Sequence, residues 1–261
     1  MKEPVLITSR SNGFLKDLKR LAQDSTAYRR QGQVWLEGDH LLRAALQRGR
    51  RLHTLVLAES LAQGSDAQAW AAQADACCVV ADALWRDFST LESPAPVGAL
   101  LALPEAPSLQ ASVPTVVLDR VQDAGNVGAI LRSAAAFGFG QVLAIKGSAA
   151  LWSPKVVRAG MGAHFALNLV ESLEPEALEA LALPLLATSS HQGEFLHRAR
   201  LPWPCAWVLG HEGQGVAPAL MARADQLVRI AQPGGEESLN VGAAAAICLH
   251  ASGLSALPPG A

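Results

Sequence analysis

A chain of 261 residues, half of them hydrophobic and 17% charged, has room for one large or two ordinary cores, and that composition excludes wholesale disorder. The formal net charge of −2 argues against a uniformly basic nucleic-acid binder, but the charge is unevenly placed. Residues 1–60 hold eleven Lys and Arg against six Asp and Glu, and the remainder ten against seventeen. The N-terminal end is therefore the one suited to a polyanion, unless its charges only solvate helix faces. No apolar run reaches membrane-spanning length, the longest lying around Val241–Leu249, and the N-terminus has neither the apolar core nor the cleavage site of a signal peptide. Cys77, Cys78, Cys205 and Cys248 form no CxxC, and two are adjacent, so buried thiols in a reduced, cytoplasmic protein are expected.

Ile7–Asn12 reads as a polar lead-in. Phe14, Leu15, Leu18 and Leu21 recur at helical spacing, with Lys16, Lys19 and Arg20 on the other face, and Tyr28, Arg29 and Arg30 follow. Val34–Leu36 is strand-like and ends at Glu37–Gly38. Asp39 is placed to cap a helix with Leu41, Leu42, Ala45 and Leu46 on one face, stopped by Gly49. Leu52–Ala58 (strand), Ala67–Ala74 (helix), Cys77–Val80 (strand), Ala83–Phe88 (helix) and Val97–Leu103 (strand) then alternate. A small α/β domain over residues 1–103 is expected. Residues 104–114, with three prolines, read as a stiffened interdomain linker.

The second domain is expected over residues 115–257. It opens with the strand Thr115–Leu118, the polar loop Asp119–Gly125 and the helix Val127–Phe137. Gly138–Phe139–Gly140 is only GxG before a strand, which gives a dinucleotide fold no support. Further strands are expected at Gln141–Ile145, Phe165–Val170, Leu185–Ala187, Cys205–Leu209 and Leu227–Ile230, with a helix at Pro175–Leu181. This alternation predicts a mostly parallel sheet with helices on both faces. The last loop, Gln232–Ser238, holds Pro233, Gly234, Gly235, Glu236 and Glu237. It runs into an apolar helix that begins near Leu239–Asn240, is capped by Ser238 or Asn240, and should be buried nearly all round. His191 and Glu194 have no second ligand pair at metal-binding spacing, so they read as a surface loop.

Three stretches share one form, a glycine-containing polar loop beside an apolar strand or helix: LDRVQDAGNVGAILRSAAAF from Leu118, LGHEGQGV from Leu209 and AQPGGEESLNVGAAAAICLHAS from Ala231. In this order they resemble the three motifs of the SpoU/TrmH family of RNA ribose 2′-O-methyltransferases, members of the SPOUT superfamily. The first half, from ITSRSN through WLEGDHLLRAAL, resembles the RNA substrate-binding domain that precedes many such catalytic domains and folds like ribosomal protein L-thirty-e. The resemblance implies an α/β-knot domain with a C-terminal trefoil knot, a homodimer, S-adenosyl-L-methionine as methyl donor without a metal, and structured RNA as substrate, rRNA before tRNA. It makes Asn126 an orienting amide, Arg132 the group nearest the reacting hydroxyl, and Glu212, Ser238 and Asn240 members of the catalytic cluster. Gly210, Gly213, Ile230 and Leu239 match donor-binding positions. Arg10, Lys16, Lys19, Arg29 and Arg30 are the expected RNA contacts. Three positions depart from the family pattern: Ala124 where proline is common, Gln232 before Pro233, and Gly242 in place of the serine of NVS.

Methylation of a ribose hydroxyl needs an in-line donor, an oriented and deprotonated oxygen, and fixed phosphates. Arginine does not serve as the base, because its pKa exceeds about 12. Its guanidinium can grip phosphate and stabilise a developing alkoxide. A non-catalytic RNA-binding or ribosome-assembly protein that kept the fold is the alternative, and it would not bind the donor.

Overall fold

The computed structural model describes residues 5–105, 107–235 and 238–257. Lys2, counted in the basic end, and Glu236 and Glu237 of the glycine-rich loop lie outside these ranges. The chain divides into two compact units: residues up to Glu105 together with Trp152–Phe165, and the remainder.

The first unit carries β1 (Val5–Ile7), α1 (Gly13–Gln23), α2 (Ala27–Gln31), β2 (Gln33–Glu37), α3 (Asp39–Gln47), β3 (Leu52–Ala58), α4 (Ser65–Ala71), β4 (Ala74–Val80), α5 (Asp82–Trp85) and β5 (Val97–Ala102). Its sheet runs β1-β4-β3-β5-β2, with β5 antiparallel to both neighbours. Helix α1 forms where the apolar spacing demands it. Asn12 Oδ1 accepts from Phe14 N at 2.9 Å, Leu15, Leu18 and Leu21 are buried, and Lys16 and Lys19 face solvent. Ile7, expected in a lead-in, belongs to β1 and pairs with Val80. Asp39 lies in the first turn of α3, and Gly38 takes the cap position.

The second unit holds β6 (Thr115–Asp119), α6 (Ala124–Ala136) and β7 (Gln141–Ile145). Helix α7 (Pro154–Gly160), capped by Ser153, groups with the first unit. The chain then returns to the second unit with β8 (Asn168–Leu173), β9 (Leu185–Thr188), β10 (Glu194–Phe195), β11 (Ala206–Gly210), α8 (Pro218–Arg223), β12 (Gln226–Arg229) and α9 (Val241–Gly253). The seven-stranded sheet runs β10-β12-β9-β11-β6-β7-β8, and each pair is parallel. Successive strand residues point to opposite faces. Val208 packs into a cluster with Leu220 of α8 and Leu178, while the indole of Trp207 donates to Ser252 Oγ of α9 at 2.8 Å. Helices therefore cover both faces, as a βα alternation requires.

Several expected elements differ. The strand expected from Phe165 begins at Asn168, because residues 163–166 form a 3₁₀ turn, and Pro175–Ala180 is 3₁₀ rather than α. Helix α6 begins three residues earlier than its apolar run, since Asp123 caps it. Helix α9 is not buried all round. Gly242, Ala245, Cys248, Leu249 and Ser252 form one buried stripe, while Ile247 is 41% exposed. An all-apolar sequence conceals which face packs. In the segment before β6, Gln110 N donates to Gln141 Oε1 and Asn168 Nδ2 to Ser108 O, which ties residues 108–110 to the second unit.

Candidate functional site

Strands β6 and β11 are parallel neighbours in register, with Leu118 opposite Leu209 and Asp119 opposite Gly210. Their following loops must leave the same edge of the sheet, the edge where open α/β sheets bind ligands. The two loops meet there. The Glu212 carboxylate accepts from Gln122 N at 3.3 Å, Asp123 N at 3.1 Å and Asn126 Nδ2 at 3.1 Å. Asn126 Oδ1 accepts from Asn240 Nδ2 at 2.8 Å. Asn240 Oδ1 in turn accepts from Gly242 N at 2.9 Å and Ala243 N at 3.2 Å, capping α9. The polarity of this relay follows from Glu212. An ionised carboxylate only accepts, so Asn126 must offer it NH₂ and turn its carbonyl to Asn240. Three segments far apart in sequence are thus joined by Glu212, Asn126 and Asn240. Of the two expected caps for α9, Asn240 is the one used.

Burial alone would raise the Glu212 carboxyl, but its own N–H, the Asn126 amide and the N–H groups of Asp123 and Gln122 outweigh it and hold the group below its ordinary value. A carboxyl depressed in the folded state stabilises above its unfolded pKa, and that stability is lost as pH falls through the folded value. The melting-temperature gap between wild type and Glu212→Gln should therefore be full above about pH 5 and close under stronger acid. A gap that widened on acidification would contradict this linkage. Asn126→Asp sets a second carboxylate against Glu212 and should cost roughly 1 kcal/mol. An unchanged urea midpoint in that variant would show that the relay does not form in solution.

The second loop is folded on itself. His211 and Gly215 exchange backbone hydrogen bonds of 3.1 and 2.8 Å, and His211 Nδ1 accepts from Gly213 N and Gln214 N. Gly210 is required at its root, because a Cβ there would lie 2.1 Å from the Gly215 carbonyl carbon and the Val216 nitrogen. Gly242 is buried, and a Cβ there would stand 3.3 Å from Ala129 Cβ. Its small size lets α9 begin close against α6.

Sequence reasoning passed over Asp119. It is only 2% exposed, its carboxylate accepts from Arg120 Nε at 2.8 Å and Nη2 at 3.1 Å, and it accepts from Ala217 N at 2.6 Å. Arg120 adopts a left-handed backbone (φ 57°) and reaches Gln214 Oε1 at 3.0 Å. Asp119 therefore holds the C-terminal end of the Glu212 loop directly and its middle through Arg120. The available signal was a carboxylate ending the apolar run TVVLD.

The other expected site residues are not joined to the relay by hydrogen bonds. Arg132, six residues after Asn126 and roughly 120° round α6, is exposed and makes no ion pair or side-chain hydrogen bond among the described residues. Ser238 is exposed, Leu239 is 40% exposed, Gly213 is exposed, and Ile230 is half-buried just after β12. Among the expected RNA contacts, Arg10 pairs with Asp87 at 2.9 Å and Arg30 with Asp24 at 3.1 Å, while Arg29 donates to Tyr28 Oη. Lys16 and Lys19 are exposed and form no ion pair among the described residues.

A parallel α/β sheet whose strand-end loops converge through one carboxylate defines a ligand-binding α/β domain. Residues 114–250 match the family model described as the SpoU rRNA Methylase family. RlmP of Bacillus subtilis, a 23S rRNA (guanosine(2553)-2′-O)-methyltransferase, is 27% identical over 94% of this chain and 97% of its own. A Synechocystis protein described as an uncharacterised tRNA/rRNA methyltransferase is 32% identical over 94% of this chain and 92% of its own. The AdoMet-bound rRNA methyltransferase of Sinorhizobium meliloti superposes with a TM-score of 0.84 at 25% identity, covering 97% of this chain and 98% of that one. The chain belongs to the SpoU rRNA methylase family.

Proposed function

We infer that this chain transfers the methyl group of S-adenosylmethionine to a ribose 2′-hydroxyl of structured RNA, with rRNA preferred over tRNA. The observation that carries this reading is the Glu212–Asn126–Asn240 relay, in which one residue from each of the three family motifs meets the others. Bound S-adenosylmethionine supplies an electrophilic methyl on a sulfonium. The residues present fit that group. Gln232 Oε1 is buried without a hydrogen-bond partner among the described residues, which suits an amine donor, and Ile230 and Leu239 offer apolar side chains. Gly210, Gly213, Ile230 and Leu239 are proposed to hold the donor.

In the reaction, Glu212 locks the Asn126 amide so that its orientation is set before RNA arrives. Arg132, spent on no partner among the described residues, holds phosphate and stabilises negative charge on the attacking oxygen. Ser238 and Asn240 complete the polar wall. The N-terminal residues 1–103 act as the RNA-recognition domain, with 104–114 as the connection and 115–257 as the methyltransferase domain. A homodimer is supported by the apolar residues left exposed on and after α9, Ile247, Leu254 and Leu257. A C-terminal trefoil knot is proposed on the strength of family membership. A cytoplasmic location is supported by four free cysteines, and no described helix is long and apolar enough to cross a membrane.

The test is calorimetric titration with S-adenosylmethionine, followed by transfer of labelled methyl to unmodified rRNA and tRNA side by side. Donor binding with preferred labelling of rRNA is expected. No binding at millimolar donor would sink the reading and leave a non-catalytic RNA-binding protein.

A further inference from the structure

The edge strand β10 and the turn after it place His191, Phe195, His197, Arg198 and Arg200 within ten residues, in a half of the chain that is otherwise acidic. The Arg229 guanidinium lies 3.9 Å over the Phe195 ring, and among the described residues its Nε is buried without a hydrogen-bond partner and no carboxylate pairs with it, so its charge is directed at a π-face. The His197 ring stacks on the same phenyl at 5.6 Å and 28°. His197, Arg198 and Arg200 are exposed, and the side chains of Arg198 and Arg200 make no ion pair or hydrogen bond among the described residues. Glu194, the acid of this segment, is 3.5 Å from Gln226 Nε2. The contrast with the basic N-terminus is informative. There Arg10, Arg20, Arg30, Arg43 and Arg51 are each occupied by an aspartate.

We propose that this sheet edge is a second RNA-contact surface, with the exposed His197 ring, backed by Phe195 and Arg229, stacking an unpaired base and Arg198 and Arg200 neutralising the phosphates beside it. The inference rests on the RNA methyltransferase reading but uses none of the residues assigned to the reaction. An exposed ring beside unneutralised guanidinium groups suits single strands, whose bases are free to stack, whereas A-form helices hide theirs. An acidic polypeptide would use the charges but leave the ring without a planar partner.

The test is the salt dependence of binding of a fluorescein-labelled, unstructured RNA of about a dozen nucleotides. Each phosphate contact to single strands contributes about 0.7 to the slope of log affinity against log salt, so Arg198→Ala/Arg200→Ala should lower the slope by about 1.4. The same variant should raise the KM for rRNA on the order of tenfold. Lysine at both positions should restore the slope, and His197→Phe should bind where His197→Ala does not. Melting temperatures unchanged by these surface substitutions confirm that the fold is kept. An unaltered slope in the alanine variant, failure of the wild type to bind the oligonucleotide, or equal arginine-dependent binding of polyglutamate would overturn the proposal. Methyl transfer by the same wild-type preparation keeps the outcomes separable: transfer without an effect of the variants overturns the surface alone, and absence of transfer overturns the enzymatic reading.

Discussion

Arg132→Ala is expected to lower methyl transfer by roughly 10²–10³-fold while S-adenosylmethionine binds as before. The side chain stands on α6, the helix whose first turn is fixed by Asp123 and Asn126. It is exposed and engaged by no partner among the described residues. Its removal therefore leaves no unpaired buried group, and stability should move by less than about 0.5 kcal/mol. A fall in rate without a fall in stability separates a reaction role from a structural one. Lysine should restore only part of the rate, since an ammonium lacks the planar fork that grips an oxyanion and a phosphate together. Single-turnover kinetics with calorimetry would check this. Loss of donor binding in Arg132→Ala would remove the role assigned to it.

Gly210→Ala is expected to abolish donor binding and to destabilise the fold by about 1–3 kcal/mol. The obstruction is backbone, with the new methyl 2.1 Å from the Gly215 carbonyl carbon and the Val216 nitrogen, so no rotamer relieves it. The loop must swing outward, taking Glu212 from Asn126 and straining the bond from Ala217 N to Asp119. Urea denaturation and titration with S-adenosylmethionine would measure both losses. A variant with wild-type stability and donor affinity would show that the loop has slack the geometry denies. Gly215→Ala, at positive φ but with open space around its Cβ, should do less harm to the fold.

The parts of this fold that were legible in the sequence are those set by local patterns. Strand β3 falls where an apolar run ends between turn residues, and β7 where a run follows two glycines. Helix α1 buries the leucines its spacing singled out. The three loops were readable as a set through their resemblance, in order, to the three SpoU/TrmH motifs. Their meeting was not readable from local pattern, since the bond between Asn126 and Glu212 spans 86 residues and that between Asn240 and Asn126 spans 114. Periodicity carries no information about which strand lies beside which. Helix α9 misled because uniform apolarity gives no stripe to assign, and β10 was missed because two residues show no period. The basic N-terminus looked available for phosphate, but counts of charge do not reveal that neighbouring aspartates occupy five of its arginines. Such exposed pairs are weak, about 0–1 kcal/mol, and phosphate could displace them.

The most direct measurement is the chemical position of the transferred methyl group. Unmodified rRNA is incubated with the protein and tritiated S-adenosylmethionine, then hydrolysed in alkali. A 2′-O-methyl removes the hydroxyl that attacks the neighbouring phosphodiester, so label in alkali-resistant dinucleotides is the expected result. Label recovered in single methylated nucleotides would place the methyl on a base and contradict the assignment of ribose as the acceptor.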